Sequence, residues 1–298
     1  MSVIKDTLLL PVLGATKLLE SSLDGIRQLT EQVRTGSNPY LSGNFRPVTE
    51  EWTNLTMSVI QGQLPGDLRG AFVRNGPNPV FSPKGLYHWF DGDGMVHSVR
   101  LRGDTNGDGT VTKATYTNHQ IKTRKLAYER EQGQADYLGV GDMKGPLGLM
   151  KMGLYQARLY LGDRPLKNLL LNSDEIPLEG VANTSIKYHA GRVMACVEMS
   201  YPTALRVKED GAIETIGTFD FEGKLRHQWT AHPKIDPVTN EMMTFCYNID
   251  KAPFAQYSVI DSEGNHVRTL DLDLPKAVMM HDCTITANHT IFMVRCVC

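Results

Sequence analysis

Nine histidines and five cysteines carry most of the reactive chemistry in this 298-residue chain. A neutral imidazole can ligate a metal or move a proton, and a thiolate can also ligate a metal. No histidine pair has a short ligand spacing such as HxxxH, so by residue type alone each is a hydrogen-bonded structural residue. His232 precedes Pro233, which biases it toward extended backbone at the end of a β-rich stretch. His281 ends the apolar run 277–280 and is expected at the tip of a buried strand. Cys196, Cys246, Cys283, Cys296 and Cys298 are odd in number and scattered, which does not make a disulfide framework and points to a reducing compartment. Cys296 and Cys298 lack the further ligands a metal site needs. Two acidic stretches look like cation sites and are better read as turns. In 104–109 (DTNGDG) the pattern starts a calcium loop, but Thr115 stands where the bidentate Glu belongs. Asp91-Gly92-Asp93-Gly94 lies between β-like runs, where its glycines suit a sharp turn or bulge.

The rest of the chain must hold these side chains in place. Residues 1–44 differ in character from 45–298. Leu19, Leu23, Ile26 and Val33, flanked by Leu18 and Leu29, recur at helical spacings, while Lys17, Glu20, Asp24, Arg27, Gln28 and Glu31 take other faces. That spacing predicts an amphipathic helix ended by Gly36 and Asn38-Pro39, its apolar stripe packed on the chain's own body. Peripheral contact with a membrane is the alternative use of that stripe. The stretch 8–13 is short and broken by Pro11, and Asp6, Glu20, Asp24 and Glu31 do not suit a transit peptide. A mature cytoplasmic terminus follows, with a plastid location as the alternative.

From about Arg46, short β-rich runs alternate with turn clusters, among them 95–101, 110–117, 185–187, 193–197, 205–207, 215–221, 242–247, 256–260 and 290–294. Sustained strand–helix alternation is missing, which argues against a doubly wound α/β fold. The main helical interruption is 145–161, apolar and methionine-rich. Composition is that of an ordinary soluble protein, 41% hydrophobic and 21% charged. With 31 basic and 33 acidic residues, a net charge of −2 gives no electrostatic case for nucleic acid. No apolar run approaches the roughly 20 residues that span a bilayer.

Three segments together carry a resemblance: YHWFDGDGM at 87–95, TAHP with K-x-DPVTxE at 230–241, and PKAVMMHDCTITANHTIFM at 275–293. With RNGPNP at 74–79, they resemble the carotenoid cleavage dioxygenase family, most nearly its plant-type 9,10-cleaving members. The resemblance implies an all-β fold, here a partial seven-bladed β-propeller with the amino-terminal helix and helical cover segments. Segment 45–298 would be the amino-terminal part of the propeller. Helix 145–161 would then cover its face as a lipophilic substrate entrance, or serve as an ordinary core-packing cover.

By the same resemblance, Fe(2+) is held by four histidines, of which His232 and His281 are the first two. Glu198, by type alone a solvated carboxylate, falls where the family places the acceptor for an iron-bound histidine. The implied partners are a carotenoid or apocarotenoid and O2, with cleavage of a conjugated double bond to two carbonyl products. A long apolar tunnel would select the bond by distance and shape. After residue 293 the sequence departs from the family pattern. The expectation is a chain truncated at its carboxyl end and inactive as it stands, or a non-catalytic carotenoid-binding or regulatory fragment.

Overall fold

The computed structural model describes residues 2–35, 38–103, 113–161, 163, 180–249 and 251–294. The turn expected at 104–109, and Cys296 and Cys298, lie outside them. Contacts gather into two units, each discontinuous in sequence. One comprises Met1–Thr49, Pro77–Asp93 and Arg124–Glu175, and the other Glu50–Gly76, Gly94–Thr123 and Ile176–Cys298.

The second unit is built of antiparallel sheet. Strands β1 (Leu55–Met57), β2 (Gly70–Pro77), β3 (Gly94–Arg102) and β4 (Lys113–Gln120) form a 4-stranded sheet in the order β1-β4-β3-β2. Strands β5 (Ser185–His189), β6 (Arg192–Cys196), β7 (Thr203–Val207) and β8 (Ile213–Thr218) form a second in chain order. The third holds β9 (Lys234–Ile235), β10 (Met242–Tyr247), β11 (Ala255–Ile260) and β12 (His266–Leu272), again consecutively. Strands β13 (Cys283–Ile285) and β14 (Thr290–Phe292) make a 2-stranded sheet.

Local chemistry sets these hairpins. His189 pairs with Arg192 across a two-residue loop in which Ala190 and Gly191 have φ of 47° and 76°. This is the positive-φ turn that matches strand twist. The Asp236 carboxylate accepts the N–H groups of Val238 and Thr239, which closes the turn between β9 and β10.

Successive sheets meet through apolar clusters. Val96, Ile121, Ala182, Ala195, Leu205 and Ile213 join the first two sheets. Met194, Cys196, Tyr201, Phe221, Leu225, Trp229, Met242 and Ile260 join the second to the third. Phe245, Tyr247, Ala255, Val278, Met280 and Cys283 join the third to β13 and β14. The chain is thus mostly β-sheet, as expected, but among the described residues its sheets do not close on themselves into a ring.

The first unit is helical: α1 (Ser2–Thr35), α2 (Arg124–Gln132) and α3 (Gly145–Tyr160). Helix α1 runs through Pro11 instead of breaking there. Its expected polarity is also reversed over most of the helix, although Leu23 of the expected stripe stays inward and Lys17 and Gln28 stay exposed. Thr16, Glu20, Leu23, Asp24 and Arg27 are buried, while Leu18, Leu19, Ile26 and Leu29 are 57–70% exposed. The physical reason lies in α3, which buries cations. Arg158 pairs with Glu20, Asp136 and Asp163 at 2.9, 2.6 and 3.0 Å, and Lys151 pairs with Asp24 and Asp142 at 2.7 and 2.8 Å. A buried charge needs its counter-charge, so the acidic face of α1 turns inward. No helix among the described residues is long and apolar enough to cross a membrane.

Candidate metal centre

Glu198, His232 and His281 lie just outside strand ends of three successive sheets. Glu198 follows β6, whose last residue is Cys196, in a turn where Met199 takes a φ of 62°. His232 stands two residues before β9, and His281 two residues before β13. Two contacts brace the histidine loops. The His232 N–H donates to Thr230 Oγ1 at 3.2 Å, and Lys234 pairs with Asp282 at 2.7 Å.

This placement brings the two imidazoles together. His232 Nε2 and His281 Nε2 are 3.1 Å apart, with ring planes at 75°. Two ligands bound at about 2.1 Å and at right angles would be about 3.0 Å apart, so the rings sit as adjacent ligands of one ion would. His281 Nδ1–H donates to Glu198 Oε1 at 2.6 Å, a tautomer that leaves the Nε2 lone pair facing His232. Glu198 Oε2 accepts from the Tyr247 hydroxyl at 3.4 Å. Burial and the neighbouring His281 hold the His232 pKa below its ordinary value, which favours the neutral ring a metal requires. The Tyr247 phenol is pushed up to about 12 by burial and by Glu198, so it remains a donor at neutral pH.

The site is open on one side, the His281 side chain being 66% exposed. Beside it is a narrow cleft lined by Glu198, Met199, Trp229, Thr230, Phe245 and Met280. Among the described residues no three His, Cys, Asp or Glu side chains converge as a metal site. The two imidazoles therefore fit part of a coordination shell.

Several of the remaining histidines have structural partners. His97 bonds Tyr116 at 2.6 Å, His119 bonds Thr215 at 3.0 Å and His227 bonds Ser258 at 2.6 Å. His189, the last residue of β5, is buried, with Nε2 2.8 Å from the Asn240 carbonyl. Cys196, Cys246 and Cys283 are free, and burial pushes their thiols up to about 12, 12 and 11. Protonated thiols are poor ligands.

Segment 91–94 bends at Gly92 and enters β3 at Gly94, and its acids hold that bend in place. Asp91 accepts the N–H groups of His88, Val140 and Gly141, while Asp93 accepts Val80 N–H and pairs with Lys125 at 2.9 Å. Gly92, at φ 126°, leaves only 2.9 Å between a would-be Cβ and Pro79. In 74–79, Asn75 donates to the Ala182 carbonyl at 2.8 Å, and the Asn78 amide both accepts from and donates to the Val48 backbone. Tyr247 was not anticipated, because nothing local in β10 marks its hydroxyl as a partner for a carboxylate 49 residues earlier.

Comparison with known proteins gives this geometry a context. Carotenoid 9,10(9',10')-cleavage dioxygenase 1 of Arabidopsis thaliana is 41% identical over 254 residues, covering 85% of this chain and 44% of that protein. Probable carotenoid cleavage dioxygenase 4, chloroplastic, of the same plant is 38% identical over 256 residues, covering 85% and 40%. The chain thus spans less than half the length of these relatives. Among solved structures, lignostilbene dioxygenase of Pseudomonas brassicacearum superposes with a TM-score of 0.65 at 24% identity, covering 87% of this chain and 47% of that one. Cobalt-substituted Synechocystis apocarotenoid oxygenase gives 0.60 at 26% identity, covering 83% and 47%. The family model for retinal pigment epithelial membrane protein, RPE65, matches residues 45–298. That match takes in every sheet and both converging histidines, and the chain belongs to the RPE65, or carotenoid oxygenase, family.

Proposed function

We propose that this chain carries half of a non-heme iron centre for cleaving a conjugated double bond of a carotenoid or apocarotenoid with O2. The observation that carries the reading is the 3.1 Å approach of two imidazole Nε2 atoms, one of them oriented by a carboxylate. His232 and His281 would hold Fe(2+), and Glu198 would fix the ring of His281. Bound ferrous iron would supply the activation of dioxygen. The chain's own part is to keep both lone pairs on one point and to hold the His281 proton at Nδ1, away from the metal. Relatives named for 9,10 cleavage support the substrate class, and the cobalt-substituted relative supports a metal on this fold.

We read residues 45–298 as the first part of a seven-bladed propeller, and 1–44 as an extension to it. The chloroplastic label of one relative supports the plastid alternative, and nothing supports the cytoplasmic one. The outward apolar side chains of α1 support peripheral membrane contact.

Anaerobic addition of Fe(2+) to the purified chain tests the centre. Paramagnetic broadening should reach the ring signals of His232 and His281 first, and His281→Ala should abolish it at His232. Broadening centred on other histidines would overturn the assignment. One observation favours a second reading, a non-catalytic carotenoid-binding or regulatory fragment: among the described residues two imidazoles converge, not four. Formation of carbonyl products from an apocarotenoid by the iron-loaded chain would exclude that reading.

A further inference from the structure

A glutamate side chain turns about three bonds, so a carboxylate that accepts one hydrogen bond through one oxygen can still swing about that contact. Glu198 is attached in a turn outside the strands, and its side chain is 26% exposed. Yet the Nδ1–H tautomer of His281 is favoured by Glu198 Oε1 accepting at 2.6 Å, so the carboxylate must keep that place. The second oxygen must be held from somewhere rigid. Among the described residues its hydrogen-bond donor is Tyr247. Tyr247 is the last residue of β10, in register with Ala255 of β11, and its ring is buried with Phe245, Val278, Met280 and Cys283. The hydroxyl is thus fixed by the strand and core beneath it, and Glu198 spans from that fixed point to the exposed imidazole.

We propose that Tyr247 is a positioning residue for the metal centre, acting through Glu198 to set the tautomer and direction of His281. The inference rests on the reading of His281 as a ligand. At 3.4 Å the contact is long for a hydroxyl bond, and such bonds tighten when a site is assembled.

The test uses the purified chain at one fixed, mildly alkaline pH. Imidazole nitrogen NMR of the metal-free protein reports the His281 tautomer, and titration with Co(2+) reports affinity. In wild type the Nδ1–H tautomer should dominate at His281. Tyr247→Phe keeps the ring in its core and should shift that population toward Nε2–H, with Co(2+) affinity falling about tenfold, as for outer-sphere partners of metal ligands. In a Glu198→Gln background the same substitution should add little, because the route through the carboxylate is already cut.

An equal effect in both backgrounds would overturn the proposal and mark Tyr247 as a packing residue. An unchanged His281 tautomer in Tyr247→Phe would overturn it as well. A shifted tautomer with unchanged Co(2+) affinity would uphold the relay and instead overturn the metal reading of His281. Should Tyr247→Phe fold poorly, wild-type NMR still decides, since a dominant Nε2–H tautomer at His281 would mean there is no relay to position.

Discussion

In the helical unit, α1 meets α3 through Arg158, Lys151 and the carboxylates of Glu20 and Asp24, whereas in the β unit the sheets meet through Trp229, Met242, Phe245 and Met280. Both arrangements exclude water, but they do different work. Apolar contact is non-directional and stabilises in proportion to area, so it leaves strand register to backbone hydrogen bonds and turns. Buried ion pairs are directional. They specify one rotation and one register of α1, while the cost of desolvation cancels much of their attraction. The consequence for α1 is visible on its other side, where Leu18, Leu19, Ile26 and Leu29 face outward.

The sharpest way to break this contrast is Arg158→Met. Removing the guanidinium strands Glu20, Asp136 and Asp163 around an uncharged side chain, and the helical unit should lose about 3–5 kcal/mol in chemical denaturation. A loss below about 1 kcal/mol would show that these carboxylates are not held as charges. Met242→Ala, at a fully buried position between the second and third sheets, should cost about 2–5 kcal/mol by opening a cavity. That loss should appear in the β unit and leave α1 protection unchanged, as followed by hydrogen exchange.

Lowering the pH should separate the two units by a smaller amount. Burial holds His97, His119, His227 and His266 below their ordinary value of 6.5. The unfolded chain therefore binds protons first as pH falls through 6.5, and the β unit loses stability from there down through the folded values. In the helical unit, desolvation raises Glu20 and Asp24 above 4.5 and 3.8, so the folded state binds protons first and these groups add stability as pH falls toward those values. Asp136, held lower mainly by Arg158 and Tyr128 against its own desolvation, opposes this only near and below 3.8. Exchange corrected for intrinsic rates should show the β unit loosening first between neutral pH and about 5, and earlier loosening of α1 would contradict the assignment.

The smallest effect belongs to the outward face of α1. Leu19→Gln should change stability by no more than about 0.5 kcal/mol, since Leu19 is already 61% exposed. The same change should weaken binding to lipid vesicles if that face serves the membrane contact proposed above. A large stability loss would mean that Leu19 is covered.

Legibility in the sequence followed the range of the interactions. The β5–β6 hairpin is legible in the β-rich runs 185–187 and 193–197, and β10 and β11 in 242–247 and 256–260. Strand β12, HVRTLDL, was missed because it is exposed along most of its length and carries no buried face to pattern it. Helix α2, RKLAYEREQ, was missed because its inward positions include Lys125 and Glu129, whose burial depends on the ion pairs with each other and with Asp93.

The family resemblance resides in short segments, two of which hold His232 and His281, and the β-rich body in windows where residue type and turn chemistry act locally. Tertiary structure decided which atoms meet. His232 reaches His281 across 49 positions, and His281 reaches Glu198 across 83. Those distances are set by packing three sheets on shared cores, which no local pattern contains. The inward face of α1 was decided in the same way. Helical periodicity places its apolar and charged residues on different faces, but only the buried cations of α3 select which face turns in.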